Sequence, residues 1–368
     1  MVRSLASGAR DRGWEPELGF SELAVGRDWY ERLGSEFSGS VFTVPDGSRR
    51  EDGRWLLDRL AQPGPVLLHT HFTRFDVAAA WLGRRRPGTA VVWHLHTPHP
   101  PTLRSRLRDT IKFRLLGRGV NAILASGADP AMVAIRAGAR ADRVEVVGGG
   151  IETARFTPPT GEGRFRARNA LSIPETGPVL LHFAWDWELK GGELFLEAVR
   201  ALVDSDQLES PLAITVGGGE AARRGVERLG LDDDFRLIEP TDDVQSLYRA
   251  ADLFVSTSRM EGQPFAVIES ILSGLPVVAV DLPGHRDICE QLDSCRVVEP
   301  AAEPIADAAV ELLGRPADES ERQAAEARRG LESRFDLTPW TERMLDRYRA
   351  ALEEVDPSGA SALKPRAH

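Results

Sequence analysis

The sequence predicts an α/β protein made of two domains, each with a mostly parallel sheet between helices. Short apolar runs alternate with longer amphipathic stretches along most of the chain. The runs are apolar at successive positions, as in strands that helices cover on both faces. A segment rich in glycine and proline near 150–165 separates two series of such runs. Alternating strands and helices imply βαβ units, so we expect two Rossmann-like domains.

The predicted strands fall into these two series. The first comprises VFTV at 41–44, PVLLH at 65–69, AVVWHL at 90–95, AILAS at 122–126 and VEVVG at 144–148. The second comprises PVLLHF at 178–183, LAITVG at 212–217, FRLIE at 235–239, LFVSTS at 253–258, PVVAV at 276–280 and CRVVE at 295–299. Helical periodicity marks 77–84, 103–116, 303–313, 319–334 and 340–354.

We therefore expect a first domain over 1–152, a second over 153–338 and a last segment over 339–368. That segment is predicted to cross back toward the first domain as a helix and to end in a frayed tail. Residues 2–9 read as a helix leading to a strand near 17–20, with no strand and glycine-rich turn ahead of them. A central strand of the first sheet is therefore missing, or the true start lies upstream.

Composition limits the function classes. The 368 residues include 46 basic and 56 acidic ones, a formal net charge of −10 that argues against general nucleic-acid binding. The two cysteines, Cys289 and Cys295, cannot build a disulfide framework, so we expect a reducing, cytoplasmic location. We find no signal-peptide core and no apolar run long enough for a transmembrane helix. Peripheral contact with a membrane stays open.

The most informative stretch is SRMEGQPFAVIESILSGLPVVAV at 258–280. A strand ends in a loop, and a helix begins near Pro264. The first N–H groups of that helix, on Phe265, Ala266 and Val267, lack helical partners and suit a phosphate. Glu261 precedes this site, and Glu269 follows it among apolar neighbours, where a ribose diol would satisfy it. The alternative is a loop charge at Glu261 and a solvated helix residue at Glu269.

These residues resemble the signature of retaining GT-B glycosyltransferases of the large family 4, the sucrose-synthase and mannosyltransferase type. The signature here consists of Glu261, Gly262, Pro264, Glu269, Gly274, Pro276 and Val277. Three further features extend the resemblance: the glycine run at 217–219, the strand exit at 146–156, and Gly284 with Asp287. Glutamate is usual in the family at the position of Asp287. The family fold implies two Rossmann-like domains facing a cleft.

The resemblance also implies residue roles. Glu261 contacts the donor sugar, the amides of 265–267 hold the diphosphate, and Glu269 binds the ribose. Gly262 and the loop of Gly217 and Gly218 belong to the same donor site. The resemblance further implies that the donor is a nucleotide-diphosphate sugar and that the acceptor is a saccharide, lipid-linked or small-molecule hydroxyl.

Lys190 matches the family's phosphate-binding lysine, but the usual arginine five residues earlier is replaced by Trp185. Only three lysines occur, at 112, 190 and 364, so a lysine before two glycines suggests a need for a compact point charge. An exposed loop lysine is the alternative reading. Trp185 and Trp187 fit either stacking on a ligand or packing in the core.

Histidines cluster at the carboxyl ends of two predicted strands, where ligands bind in open α/β sheets. They are His69, His71, His94, His96 and His99. A metal site is one reading, but Asp76 is the main nearby carboxylate and no cysteine is near, so we expect no metal. The resemblance puts His96 near the donor sugar and assigns the acceptor to the region of His71 and Arg74.

The sequence thus predicts metal-independent glycosyl transfer with retention, carried by Glu261, Lys190 and His96. Lys190 and the helix start would stabilise the leaving diphosphate. An inactive or weakly active sugar-nucleotide-binding protein is the alternative, because of Trp185 and the missing strand. The acidic run 232–234 could be read as a metal-binding motif, but a turn before FRLIE is the better interpretation. A dinucleotide dehydrogenase is excluded, since no G-x-G-x-x-G follows an opening strand.

Overall fold

A computed structural model describes residues 2–44, 49–60, 64–71, 73–96 and 102–357, without the side chains of 49, 50, 73 and 74. The chain forms two compact units. The first combines Met1–Ile151 with Leu337–His368, and the second spans Glu152–Asp336.

The described residues of the first unit form six strands and the helices between them. The strands are β1 (Leu18–Ser21), β2 (Val41–Val44), β3 (Val66–His71), β4 (Thr89–Leu95), β5 (Ala122–Ala125) and β6 (Val144–Val146). The helices are α1 (Val2–Arg10), α2 (Asp28–Glu36), α3 (Arg49–Arg59), α4 (Thr73–Arg85), α5 (Leu103–Ile111) and α6 (Ala128–Arg136). A π-helical turn, Lys112–Leu116, continues α5.

The second unit carries six more strands. They are β7 (Val179–Ala184), β8 (Leu212–Gly217), β9 (Phe235–Ile238), β10 (Leu253–Ser256), β11 (Val277–Val280) and β12 (Cys295–Val298). Its helices are α7 (Gly161–Ala170), α8 (Gly192–Ser205), α9 (Gly219–Leu229), α10 (Val244–Ala250), α11 (Phe265–Leu272), α12 (Pro283–Cys289), α13 (Ala302–Leu313) and α14 (Ala317–Phe335). The last helix, α15 (Leu337–Val355), belongs to the first unit.

Every strand pair among the described residues is parallel, which confirms the predicted α/β class. The second unit has one six-stranded sheet in the order β12-β11-β10-β7-β8-β9. Its core includes the buried face of α8, with Phe195, Leu196, Val199 and Leu202 against the sheet. These positions recur every three to four residues, which is why the segment folds as a helix with one apolar face.

The strands of the first unit form two separate sheets. Strands β3-β4-β5-β6 make one sheet, β1-β2 make the other, and no described ladder joins β1 to β3. In a Rossmann-like sheet the first strand lies between the second and the fourth. The described ladders of the first unit therefore do not join into one Rossmann-like sheet.

Helix α15 covers one face of the four-stranded sheet. Trp340, Met344, Leu345, Tyr348 and Leu352 are buried together with Val92 and Leu124 of the sheet and Leu5 of α1. The Trp340 indole N–H donates to the carbonyl of Gly148 at 3.2 Å. This packing brings the Tyr348 hydroxyl to the carboxyl end of β3, where it meets His69.

Candidate active site

Helix α11 begins at Phe265, and Pro264 before it provides no side-chain cap. The N–H of Ile268 donates to Pro264 O, and the N–H of Phe265 donates to Gln263 O at 3.0 Å. The expectation of three free amides is therefore wrong at Phe265, whose N–H the preceding turn already uses. The N–H groups of Ala266 and Val267 have no acceptor among the described residues, so they can hold an anion.

Glu261 lies in the loop that leads into α11, and two side chains bond to it. Its Oε1 accepts from Lys190 Nζ at 2.6 Å and from Ser258 Oγ at 2.7 Å. The Lys190 and Glu261 side chains are only 15% and 12% exposed. The two predicted catalytic residues of the second unit are thus one shielded ion pair, although they are separated by 71 positions along the chain.

The backbone around Lys190 is fixed against the end of β10. Thr257 Oγ1 donates to Lys190 O at 2.9 Å, and the N–H of Arg259 donates to Leu189 O at 2.8 Å. Gly191 has a φ of +66°, and a Cβ there would lie 2.0 Å from Thr257 O. Only glycine fits this close approach, which explains why the lysine is followed by glycine.

The two tryptophans of the loop after β7 have different environments. Trp187 packs against Gly192 and Gly218, and its indole N–H donates to Glu193 at 3.2 Å. Trp185 is 68% exposed, and its ring centroid is 5.2 Å from Lys190 Nζ. Trp187 is therefore a packing residue, whereas Trp185 presents an exposed aromatic face beside the Lys190 ammonium.

Glu269 lies one turn inside α11 and receives a hydrogen bond from Tyr248 Oη at 2.9 Å. Burial raises the pKa of Glu269 from 4.5 to about 7, although the bond from Tyr248 favours the carboxylate. Burial and the Glu269 charge both raise the pKa of Tyr248. Glu269, which is predicted to bind the ribose, therefore has a partner within the protein. That partner, Tyr248 of α10, could not be identified from the sequence.

The glycines of the donor loop follow from close backbone packing. Gly217 and Gly218 have φ values of +88° and +86°. A Cβ on Gly217 would lie 2.9 Å from Ala184 O, and one on Gly218 would lie 2.6 Å from the Trp187 ring. Gly262 is buried beside Glu261. A Cβ on Gly284 would approach Glu261 O to 3.2 Å, so this glycine lies against the Glu261 loop.

Two other predictions on the second unit have clear outcomes. Asp287 accepts a hydrogen bond from Arg334 of α14 at 2.6 Å, and the Asp287 side chain is 41% exposed. Asp287 therefore pairs with α14, whereas Gly284 lies against the Glu261 loop. The acidic run 232–234 forms a turn before β9, as predicted. Asp234 O accepts from the N–H of Ala213, which ties that turn to β8.

In the first unit, β3 and β4 bring the predicted histidines together. His71 is level with His94 in the ladder, and His71 Nδ1 lies 2.8 Å from His96 Nε2. Ser126 Oγ donates to His96 O at 2.6 Å, which holds the backbone just beyond β4. Arg74 lies on α4, and its side chain is outside the described residues, as is the whole of His99.

Two family models match the chain. One, described as glycosyl transferases group 1, matches residues 177–315, and the other, glycosyltransferase family 4, matches residues 1–155. No described helix is long and apolar enough to cross a membrane.

Curated relatives align over most of the chain. The D-inositol 3-phosphate glycosyltransferase of Thermomonospora curvata is 29% identical over 325 residues, which is 81% of this chain and 74% of that protein. The protein of the same name from Salinispora arenicola is 31% identical over 243 residues, 59% of this chain and 54% of that one. The chain thus spans between about half and three quarters of these relatives.

Solved structures share the fold at low sequence identity. Anabaena HepE in complex with UDP has a TM-score of 0.80 at 20% identity, covering 94% of each chain. Sucrose-phosphate synthase from Thermosynechococcus elongatus has a TM-score of 0.74 at 18% identity, covering 95% of this chain and 92% of that one. Both likenesses concern the two-domain architecture.

Proposed function

The chain belongs to family 4 of the GT-B glycosyltransferases, and we propose that it transfers a hexose from a nucleoside-diphosphate sugar to an acceptor hydroxyl with retention of anomeric configuration. The observation that carries this proposal is the shielded Lys190–Glu261 pair, at 2.6 Å, beside the uncapped start of α11. It combines a cation and free amides for a diphosphate with a carboxylate for a sugar.

The Lys190 ammonium and the N–H groups of Ala266 and Val267 supply the positive potential that a departing diphosphate needs. Groups that are already oriented stabilise developing charge without reorganising during the reaction. Lys190 is held by Glu261 in the described structure, so a bound diphosphate would compete for the ammonium. Glu261 would then be free to accept hydrogen bonds from the hydroxyls of the donor sugar.

We propose that this step needs no divalent metal at the donor site. The charge on the leaving group would be met by Lys190 and by the positive end of α11. No side-chain nucleophile is assigned to the opposite face of the sugar, so retention would proceed by departure and attack on the same face. Glu269, supported by Tyr248, would accept the ribose hydroxyls.

For the acceptor we propose His96, His71 and Arg74 of the first unit. A phosphorylated polyol is the first acceptor to test, since the relatives that align over most of the chain are D-inositol 3-phosphate glycosyltransferases. The 2.8 Å contact between His71 and His96 supports joint action of these two residues. UDP-glucose is the first donor probe, because the HepE neighbour is described in complex with UDP and with UDP-glucose.

The experiment measures binding and turnover separately. Parent protein is titrated with UDP-, GDP- and ADP-sugars, and release of the nucleoside diphosphate is followed with D-inositol 3-phosphate as acceptor. Lys190→Ala should lose turnover, whereas Arg223→Ala, which removes a cation that is 59% exposed in the same unit, should not. Failure of every donor to bind would refute the proposal.

A second candidate is a protein of the same fold that binds a sugar nucleotide with little turnover. The exposed Trp185 at the position where the family usually has arginine favours it. Saturable binding without diphosphate release, for any acceptor tried, would select this candidate.

A further inference from the structure

Three histidines of the first unit converge on one face of its four-stranded sheet. His69 and His71 are two positions apart on β3, so their side chains share a face. His94 of β4 is level with His71 in the ladder, which places it on the same face. The ring centroids are 4.3 Å apart for His69 and His71, 5.3 Å for His69 and His94, and 5.1 Å for His71 and His94.

This cluster contains buried imidazole nitrogens without partners. His94 is 1% exposed, and neither of its ring nitrogens has a hydrogen-bond partner among the described residues. The Nε2 of His69 is likewise buried and unpartnered. Buried polar atoms nearly always have a partner, so three such nitrogens in one place mark a position where a ligand can bind.

The buried histidines of the second unit provide the comparison. His182 contacts Thr215 through Nδ1 and Lys190 O through Nε2. His285 contacts Val280 O through Nδ1 and Ser256 through Nε2. Both are fully used by the protein, so burial of an imidazole in this chain does not by itself leave its nitrogens unpaired.

We propose that His69, His71 and His94 bind one late transition-metal ion, with Zn²⁺ the first candidate. Their ligand atoms all lie within 4.8 Å of one another, a span that small side-chain rotations close to metal-binding distances. Imidazole ligands suit Zn²⁺ and its neighbours in the series, and three of them leave a fourth position for water. The sequence-based expectation of no metal relied on missing cysteine and carboxylate ligands, which a three-histidine site does not need.

Two further contacts orient the proposed ligands. Tyr348 Oη lies 2.5 Å from His69 Nδ1, and His96 Nε2 lies 2.8 Å from His71 Nδ1. Each contact occupies the Nδ1 of a proposed ligand, His69 or His71, and leaves its Nε2 for the ion. Metal-binding histidines are commonly oriented in this way, by a hydrogen bond at the ring nitrogen that does not bind the metal. The ion would make His71 a ligand that orients His96, and this last consequence alone rests on the proposed function.

The test uses the untagged full-length protein, freed of metal by chelation and then dialysed. Co²⁺ is titrated first, because its visible absorption reports coordination by protein ligands, and Zn²⁺ then displaces it. We expect one ion per chain, loss of at least about a hundredfold in affinity for His94→Ala, and about 10–100-fold for Tyr348→Phe. His285→Gln, which removes a buried histidine outside the cluster, should bind the ion as the parent does.

Two results would overturn the site. One is a parent protein that binds neither Co²⁺ nor Zn²⁺ stoichiometrically, which would mean that water fills the cluster. The other is a folded His94→Ala protein with parental affinity. If His94→Ala does not fold, His71→Ala and the Zn²⁺-dependent rise of the parent's Tm decide the question. Binding of UDP-glucose, measured on the same samples, reports on the proposed function independently.

Discussion

Replacing Glu269 by glutamine should change stability and ligand binding in opposite directions. Glutamine has nearly the same shape and can still accept the hydrogen bond from Tyr248 Oη. It stays neutral at every pH, whereas burial raises the pKa of Glu269 from 4.5 to about 7. The parent therefore holds a buried carboxylate at pH 8 that the variant lacks.

The pKa interval sets the size of the effect on stability. Because the folded-state pKa is raised, the contribution of Glu269 to stability is complete below pH 4.5 and is lost as the pH rises through about 7. An interval from 4.5 to about 7 corresponds to about 3 kcal/mol at most. Glu269→Gln should thus be more stable at pH 8 by up to about 3 kcal/mol, a rise in Tm of about 5–10 °C, and no more stable at pH 4.

Ligand affinity should fall in the same variant. Losing a charge-assisted hydrogen bond to the ribose should weaken binding by about 1–3 kcal/mol at pH 8. UDP-glucose is the suitable calorimetric probe, because it lacks the phosphate monoester that titrates near pH 6. The parent should also bind it more weakly as the pH falls below 7.

The control is Glu311→Gln in the same unit. Hydrogen bonds from Arg296 and Arg315 lower the pKa of Glu311 to about 2, so its replacement should not stabilise the protein at pH 8. A Glu269→Gln protein with parental stability at pH 8 would refute the raised pKa. Unchanged affinity for UDP-glucose would refute the ribose assignment.

Three further predictions concern the transfer step. Lys190→Ala should lower kcat by about a hundredfold or more and change KM less, and Lys190→Arg should recover part of the rate. If steady-state kinetics give Lys190→Ala a kcat within a few-fold of the parent, another group stabilises the leaving diphosphate. Added Mg²⁺ or Mn²⁺ should leave the rate unchanged, so a strict requirement for either ion in the same assay would contradict a metal-free donor site. Trp185→Arg should raise kcat by about tenfold by adding a second cation near the leaving group; a lower kcat would indicate that the exposed indole itself contacts the donor.

Much of the second unit could be predicted from the sequence, because its strands are short, apolar and separated by clear helical patterns. LAITVG folds as β8 over the predicted bounds, and LFVSTS begins at Leu253 as predicted. The resemblance placed Lys190 and Glu261 in one donor site with separate roles, and the structure adds that the two residues bond directly. Periodicity alone carries no information about such a contact between distant loops.

Side-chain partners were the features that the sequence could not supply. Tyr248 reaches Glu269 because α10 packs near α11. The hydrophobic periodicity of each helix does not determine how one helix is rotated against the other. The N–H of Phe265 donates to Gln263 O, and this bond depends on the local geometry of one turn. The histidines could be placed at strand ends, but their convergence depends on the register of β3 with β4 and on Tyr348 of α15.

We propose that this chain transfers a sugar with retention from a nucleotide-activated donor. The most direct measurement is ¹H NMR of the first-formed product, with donors of known anomeric configuration that bind in the titration. Retention requires that the new glycosidic bond has the same anomeric configuration as the bond to the diphosphate in the donor. A product of inverted configuration would contradict it, since departure and attack would then occur on opposite faces of the sugar.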